Sequence, residues 1–432
     1  MTAVLRLLGT WAVRIFYRRI VVSGRETIPA EGPLIVAANH PNGLIDPVLI
    51  RIALGRPVAM LAKSTLFGNS LGRAAMRAFD AIPVYRSMDA EDTGRNAETF
   101  ERCRALLAAK GWLALFPEGT SHSDPALRPL RTGAARIALG AEAAASFRLG
   151  VRILPVGLLY ESKETFRSRV AVVVGASLPV EPYAARFADD ERGCVRDLTS
   201  EIDRALGDVV LEADSRRLWR GFLAVAAWTA PDGGRDLAAR EARARRLARA
   251  FRELSAREPE RAEAVIDEVR RFARRLEATG VSDPFLLEAE AAPARFLASL
   301  ASLLPLVPLA LAGAVAGWIP YRLVRPAARR LAGAHKDLVS TYKVVLGFFV
   351  MLLTYAAEAL FVGAYLGWAA GLSVFVAAPA LGLVAVRLAE RLRLRRDALS
   401  AWWRVAGGDR AARELVLRRR ELCERVDAAL AG

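Results

Sequence analysis

The 432-residue chain holds three histidines, His40, His122 and His335, and one of them stands where it could do chemistry. His40 sits in "LIVAANHPNGLIDPVLIRIAL" where an apolar run stops, with Asp46 shortly after it. An imidazole can take a proton from a hydroxyl near neutral pH, and a carboxylate bonded to its other nitrogen fixes the tautomer. The local pattern also admits a plainer account. The run Leu34 to Ala37 reads as a buried strand, "NHPNG" as a turn, and "DPVLIRIAL" as a helix with Asp46 at the N-cap and Pro47 at the first helical position. On that account Asp46 needs no catalytic role and His40 is an exposed turn residue. A second stretch, "LALFPEGTSHSDPALRPLRTGAARIAL", repeats the arrangement of strand, glycine-bearing turn and helix. Glu118, Gly119, Thr120 and Ser121 occupy its turn, with Arg128 and Arg131 beyond. Backbone amides near a helix start, together with guanidinium groups, form a phosphate site. A third stretch, "AIPVYRS", places Arg86 just past a strand end.

These residues need a common edge to work together, and the surrounding pattern supplies one. Residues 20–205 alternate short β-type runs ("PLIVAAN", "RPVAML", "AIPVYR", "WLALFP", "VRILPVGLLY", "VAVVVG") with helical stretches such as "ETFERCRALLAAKG" and "TGAARIALGAEAAA". Strands interleaved with helices predict an α/β domain whose mostly parallel sheet is flanked by helices. Ligands of such sheets bind at the carboxyl ends of the strands, where His40, Arg86 and Glu118 all fall.

The remaining segments differ in character. Residues 1–19 form an amphipathic helix with Val4, Leu7, Leu8, Trp11, Ile15 and Phe16 on one side, suited to a membrane interface or to packing on the domain that follows. Residues 206–295 are charged and helical, with the spacing of a helical hairpin. Residues 296–386 are membrane-like: 296–320 is uncharged, and 344–386 carries only Glu358. About 20 apolar residues span a bilayer as helix, so 344–386 predicts a hairpin of two spans turning near "GWAAG". The run 296–320 either spans or re-enters, with Pro305 and Pro308 as the expected bend. Arginine-rich flanks at 321–343 and in the basic helical tail 387–432 place both on the cytoplasmic side.

The net charge of +16 suits nucleic acid, anionic lipid or phosphorylated substrates alike. Nucleic acid is disfavoured, because the apolar runs would go unexplained and no binding module is recognisable. Three scattered histidines and the scattered Cys103, Cys194 and Cys423 show no metal-ligand spacing, so no metal site is expected.

The blocks "NHPNGLIDP", "AIPVYR", "FPEGTSH" and "ILPVGLLY", in this order, resemble those of the glycerolipid acyltransferase superfamily, over roughly residues 20–180. The resemblance implies acyl transfer from acyl-CoA or acyl-carrier protein, as co-substrate, to a glycerol hydroxyl in phospholipid biosynthesis, without a cofactor. By the same resemblance His40 matches the general base and Asp46 the carboxylate that orients it. Arg86 matches the arginine that holds the acceptor's phosphate, Glu118 and Gly119 the acceptor-binding turn, and Pro155 a proline linked to acyl-donor binding. Arg131 stands where a basic residue usually precedes a glycine, here Gly133. Two departures stand out. Five residues separate His40 from Asp46 where four are commonest, and Gly43 can absorb the extra one. Ser121 replaces a basic residue after Thr120, which shifts phosphate binding toward Arg86, Arg128 and Arg131. The longer spacing resembles the membrane-bound glycerol-3-phosphate/dihydroxyacetone-phosphate branch. Lysophosphatidate or another lysophospholipid is the alternative acceptor, and a non-catalytic lipid-binding protein on the same fold is a further one. Membrane lipids are expected partners, with the catalytic domain on the cytoplasmic face of the cytoplasmic (inner) membrane.

Overall fold

The computed structural model describes residues 2–86, 93–230, 234, 236–280, 301–333 and 337–431. Two compact units emerge, one comprising Met1–Trp219 with His335–Thr341, the other Arg220–Ala334 with Tyr342–Gly432.

The first unit is built on a sheet of eight strands: β1 (Tyr17–Ser23), β2 (Leu34–Ala38), β3 (Ala59–Lys63), β4 (Ile82–Val84), β5 (Trp112–Leu115), β6 (Arg152–Tyr160), β7 (Ser168–Val174) and β8 (Leu178–Pro179). Their order is β1-β7-β6-β2-β5-β3-β4, with β8 beside β6. Strands β6, β2, β5, β3 and β4 run parallel, so their carboxyl ends share one edge. The β6–β7 pairing is antiparallel and β1 adds to β7 in parallel. The central strands read as continuous apolar runs because both faces are covered, and Leu34 to Ala38 are all buried. Helices α1 (Thr2–Phe16), α2 (Ile45–Leu54), α3 (Ser70–Ala78), α4 (Asn96–Ala108), α5 (Gly133–Ala144), the short α6 (Ala184–Phe187) and α7 (Glu191–Val209) flank the sheet. Leu107, Leu139, Leu198 and Ile202 of these helices join Ile35, Leu113 and Ile153 of the sheet in one core.

Three sequence expectations change here. The amino-terminal helix stops at Phe16, and Tyr17–Ser23, read as the helix end and domain start, is a strand. Its two adjacent arginines, Arg18 and Arg19, hid it, and both are exposed at the sheet's edge. Of the six apolar residues grouped on α1, only Phe16 turns to the core, while Val4, Leu7, Leu8, Trp11 and Ile15 stay exposed. The face that packs carries Arg6, Gly9, Val13 and Phe16: Val13 is buried, and Arg6 donates to the Ala78 carbonyl and pairs with Asp80 at 2.8 Å. Third, α7 runs through the expected boundary at 205 and belongs to the sheet domain.

The second unit is helical: α8 (Arg216–Trp228, which begins in the first unit), α9 (Leu237–Arg257), α10 (Pro259–Thr279), α11 (Val307–Ala316), α12 (Trp318–Ala332), α13 (Val339–Leu366, whose first residues belong to the first unit), α14 (Trp368–Ala406) and α15 (Arg410–Ala431). The expected hairpin is α9 and α10. In the basic tail, α15 packs Leu415, Leu422 and Val426 against Val225 of α8 and Phe272 and Leu276 of α10. Arg425 also pairs with Glu268 at 2.7 Å, and Arg243 with Asp427 at 2.6 Å.

Helices α13 and α14 are long and apolar enough to cross a membrane, and they turn at Gly367, the first residue of "GWAAG". The expected run 296–320 is described only from residue 301. Pro305 and Pro308 start helical turns rather than bend one, as proline does where an N–H has no partner anyway. The bend of 48° lies instead at Gly317, between α11 and α12. The ten residues of α11 reach about 15 Å, half the hydrocarbon thickness.

Close backbone approach gives a direct test of the fold. A Cβ on Gly157 of β6 would strike the Val209 carbonyl at the end of α7. Gly157→Ala should therefore cost about 1–3 kcal/mol, read as a lower unfolding midpoint of the detergent-solubilised protein; an unchanged midpoint would contradict this packing.

Candidate active site

His40 lies two residues past β2 and Asp46 in the first turn of α2. The N-cap of that helix is Leu44, so Asp46 does not cap it, and the reading of Asp46 as a purely structural cap is overturned. Its carboxylate is fully buried and meets His40 Nδ1 at 2.8 Å. The same Oδ2 accepts the Asn42 N–H at 2.7 Å, and Oδ1 accepts the Tyr160 hydroxyl. Gly43 has φ of 39°, a left-handed backbone angle that glycine adopts readily, in the loop that presents these groups. The imidazole stacks on Phe116 with centroids 3.7 Å apart and planes within 6°. Its side chain is 17% exposed, and Nε2 has no hydrogen-bond partner among the described residues. One ring nitrogen is thus anchored on a buried anion and the other is left for a ligand.

Glu118, three residues past β5, is buried with its carboxylate wholly occupied. It accepts from the His40 N–H at 3.1 Å, from the Arg128 N–H at 2.9 Å and from His122 Nε2. His122 Nδ1 accepts the Asp124 N–H at 3.1 Å, so the Nε2 proton points at Glu118. The His122 N–H in turn reaches the His40 carbonyl at 3.0 Å. The two turns are therefore stitched to each other, and Glu118 holds loop backbone instead of offering its carboxylate to solvent.

The cations sort by what they touch. Arg86, two residues past β4, donates to the Gly119 carbonyl at 2.6 Å, which puts its guanidinium one residue from Glu118. Gly119 has φ of 75°, and a Cβ there would meet Arg131 Nε at 2.8 Å, so the exposed Arg131 lies over the same turn. Arg128 points to the surface and pairs with Asp124 at 2.8 Å. Ser121 donates its hydroxyl to Asp337. Thr120 is partly exposed and makes only a 3.5 Å contact with the Ser121 carbonyl. Pro155 is buried within β6 opposite Ala37, its carbonyl taken by the Gly175 N–H at 2.9 Å. The structure thus brings together His40, Asp46, Glu118, Gly119, Arg86 and Arg131, and leaves Arg128 and Pro155 outside that cluster.

Residues not singled out from the sequence complete the site. Lys63 closes β3 at the same edge, in register with Val84 of β4. Lys163, its ammonium form disfavoured by burial, donates to the Pro41 carbonyl at 2.8 Å and to Ser123. Its own carbonyl accepts the hydroxyls of Tyr17 and Ser340, both at 2.7 Å. Asn39 extends β2 with its side chain, giving Nδ2 to the Leu158 carbonyl at 3.2 Å and accepting the Leu158 N–H at 2.7 Å. Cys103 lies in the hydrophobic core, where burial pushes its thiol up to about 12, far from nucleophilic use.

The family described as Acyltransferase matches residues 19–159, the stretch that carries every strand and turn just named up to β6. That stretch belongs to the glycerolipid acyltransferase superfamily. Over 119 residues the chain is 37% identical to glycerol-3-phosphate O-acyltransferase 2 of Saccharomyces cerevisiae, covering 27% of this chain and 16% of that protein. Over 159 residues it is 24% identical to a chloroplastic 1-acyl-sn-glycerol-3-phosphate acyltransferase of Arabidopsis thaliana, covering 37% of this chain and 40% of that protein. The solved 1-acyl-sn-glycerophosphate acyltransferase PlsC of Thermotoga maritima is 21% identical, with a TM-score of 0.35 over 48% of this chain and 78% of that one. The chain thus spans well under two thirds of the length of both sequence relatives.

In the acyltransferase domain the Glu118 carboxylate is the joint between the two turns. Glu118→Gln keeps the shape but replaces one accepting oxygen with an amide N–H donor, which then faces the His40 N–H or the pair from Arg128 and His122. A loss of about 1–3 kcal/mol in stability is expected, measured by denaturant unfolding of the solubilised protein, with turnover falling as the His40 loop loosens.

Proposed function

We propose that this protein is a membrane-bound O-acyltransferase that moves a fatty acyl group from acyl-CoA or acyl-carrier protein to the hydroxyl of glycerol-3-phosphate or dihydroxyacetone phosphate. The observation that carries the proposal is His40, anchored through Nδ1 on buried Asp46 with Nε2 free at the carboxyl edge of the sheet. In this reaction Nε2 takes the acceptor hydroxyl's proton as the oxygen attacks the thioester carbonyl. Asp46 steadies the imidazolium that forms. Collapse of the tetrahedral adduct breaks the carbon–sulfur bond, and the leaving thiolate recovers the proton from the imidazolium. No acyl-enzyme is needed, so no serine or cysteine nucleophile is required. Arg86, Arg131 and Lys63 supply positive charge at the same edge for the acceptor's phosphate.

Membrane attachment is read from α13 and α14, whose length and hydropathy suit two spans. Their flanks at 321–343 and 387–396 are rich in arginine, which supports a cytoplasmic position for both. The outward apolar side of α1, with exposed Arg14, Arg18 and Arg19 nearby, suits an anionic lipid surface. Glycerol phosphate is favoured as acceptor by the five-residue spacing between His40 and Asp46 and by the 37% identity to a glycerol-3-phosphate acyltransferase. The 24% identity to a 1-acyl-sn-glycerol-3-phosphate acyltransferase makes lysophosphatidate the second candidate.

The test is an acceptor panel in purified membranes with labelled acyl-CoA and acyl-carrier protein as donors. Glycerol-3-phosphate or dihydroxyacetone phosphate should be acylated faster than lysophosphatidate, and the reverse order would move the protein to the second reading. In the same assay His40→Ala should lower turnover by about 10²- to 10⁴-fold while the protein stays membrane-associated. Undiminished turnover would reject His40 as the general base and with it this mechanism. Arg86→Ala should raise KM for a phosphorylated acceptor more than it changes kcat, since it removes binding present throughout the reaction.

A further inference from the structure

The proposed chemistry uses His40 and Asp46, yet a third side chain also bonds the buried carboxylate. Tyr160 is the last residue of β6, which outruns β2: Ala38, the end of β2, pairs with Val156, four positions earlier. The overhang carries the Tyr160 ring beneath the start of α2, where its hydroxyl donates to Asp46 Oδ1. The other oxygen of that carboxylate serves His40 Nδ1 and the Asn42 N–H. Tyr160 is buried, and its ring lies 5.5 Å from that of Tyr17. Tyr17 accepts from Asn42 Nδ2 at 3.0 Å. Burial and the nearby Asp46 charge push the phenol well above its usual range, so it remains a neutral donor at every pH the enzyme would meet.

We infer that Tyr160 is a positioning residue of the catalytic pair: its hydroxyl fixes the Asp46 carboxylate and draws charge from it, thereby setting how strongly His40 holds a proton. A donor on one carboxylate oxygen withdraws electron density from the other, and in a dry pocket that effect is not screened. The remaining ionisable groups around the pair are accounted for. Lys163 acts on Asp46 through space while tethering Pro41, Glu118 is bonded to the His40 N–H, and His122 is turned to Glu118. Tyr160 is the described side chain that touches the carboxylate oxygen opposite the imidazole, so the link from phenol to base passes through that one carboxylate.

This inference rests on the acyl-transfer reading, and the experiment separates the two. Tyr160→Phe removes only the hydroxyl. Asp46 then faces the imidazole with undiminished charge, the imidazolium is stabilised, and the acidic limb of the kcat/KM profile moves to higher pH by about half a unit to one unit. With the carboxylate less firmly placed, kcat on the plateau falls about tenfold, while KM for the acceptor stays within about twofold of wild type. Incorporating 3-fluorotyrosine at position 160 keeps the ring and strengthens the donor, so the same limb should move to lower pH. The fluorinated protein decides the matter if the phenylalanine variant does not fold. Opposite displacements of the limb support the inference. A limb that stays put in either folded protein overturns it, whatever happens to kcat. His40→Ala measured alongside keeps the readings apart: if it remains active, general-base catalysis fails, and if it is dead while the position-160 proteins titrate like wild type, only the role of Tyr160 fails.

Discussion

A carboxylate that must stay charged without water sets the terms for the whole edge of the sheet. Asp46 is fully buried, and an ion so placed is tolerated only when hydrogen bonds take over from solvent. Three donors do this: the ring of His40 and the backbone of Asn42 from the loop after β2, and the hydroxyl of Tyr160 from the far end of β6. Satisfying the anion therefore forces the loop after β2, the first turn of α2 and the far end of β6 into one arrangement. The imidazole inherits its orientation from that requirement.

Around this centre the protein spends polar side chains on backbone. Glu118 gathers two main-chain amides and one imidazole proton, Asn39 stands in for a missing strand residue, and Lys163 holds the carbonyl of Pro41. Loops that make such contacts lose freedom before any ligand arrives, and catalysis by positioning needs that loss beforehand. The phosphate-side cations are treated differently. Arg131 remains exposed, and Arg86 donates to the Gly119 carbonyl, so both guanidinium groups are held against the same turn.

Much of this was legible in the sequence, for identifiable reasons. Strands β2 to β7 announce themselves because buried parallel strands are apolar throughout, and Gly43 marks a turn because its backbone angle excludes most other residues. The hairpin turn at Gly367 follows from charge and length alone. The misses are equally physical. Asp followed by Pro has the local signature of a helix cap, and local signatures do not report what lies across the sheet, so Asp46 reads as the N-cap although it stands two residues past the cap itself, Leu44. Strand β1 begins with arginines that an edge tolerates. The bend attributed to Pro305 and Pro308 falls at Gly317, because proline at a helix start continues the helix. Tyr160 and Lys163 could not be found by spacing, since what recruits them is the overhang of β6 and a loop more than a hundred residues from His40.

The flat contact between His40 and Phe116 has a stereochemical consequence. The lone pair on Nε2 lies in the plane of its ring, and the phenyl group fixes that plane while closing one side of it. A hydroxyl can then hand over its proton only along a narrow in-plane track, so the bearing of the incoming O–H bond, and with it the side from which the oxygen strikes a flat carbonyl, is decided by an aromatic ring that never exchanges a proton itself.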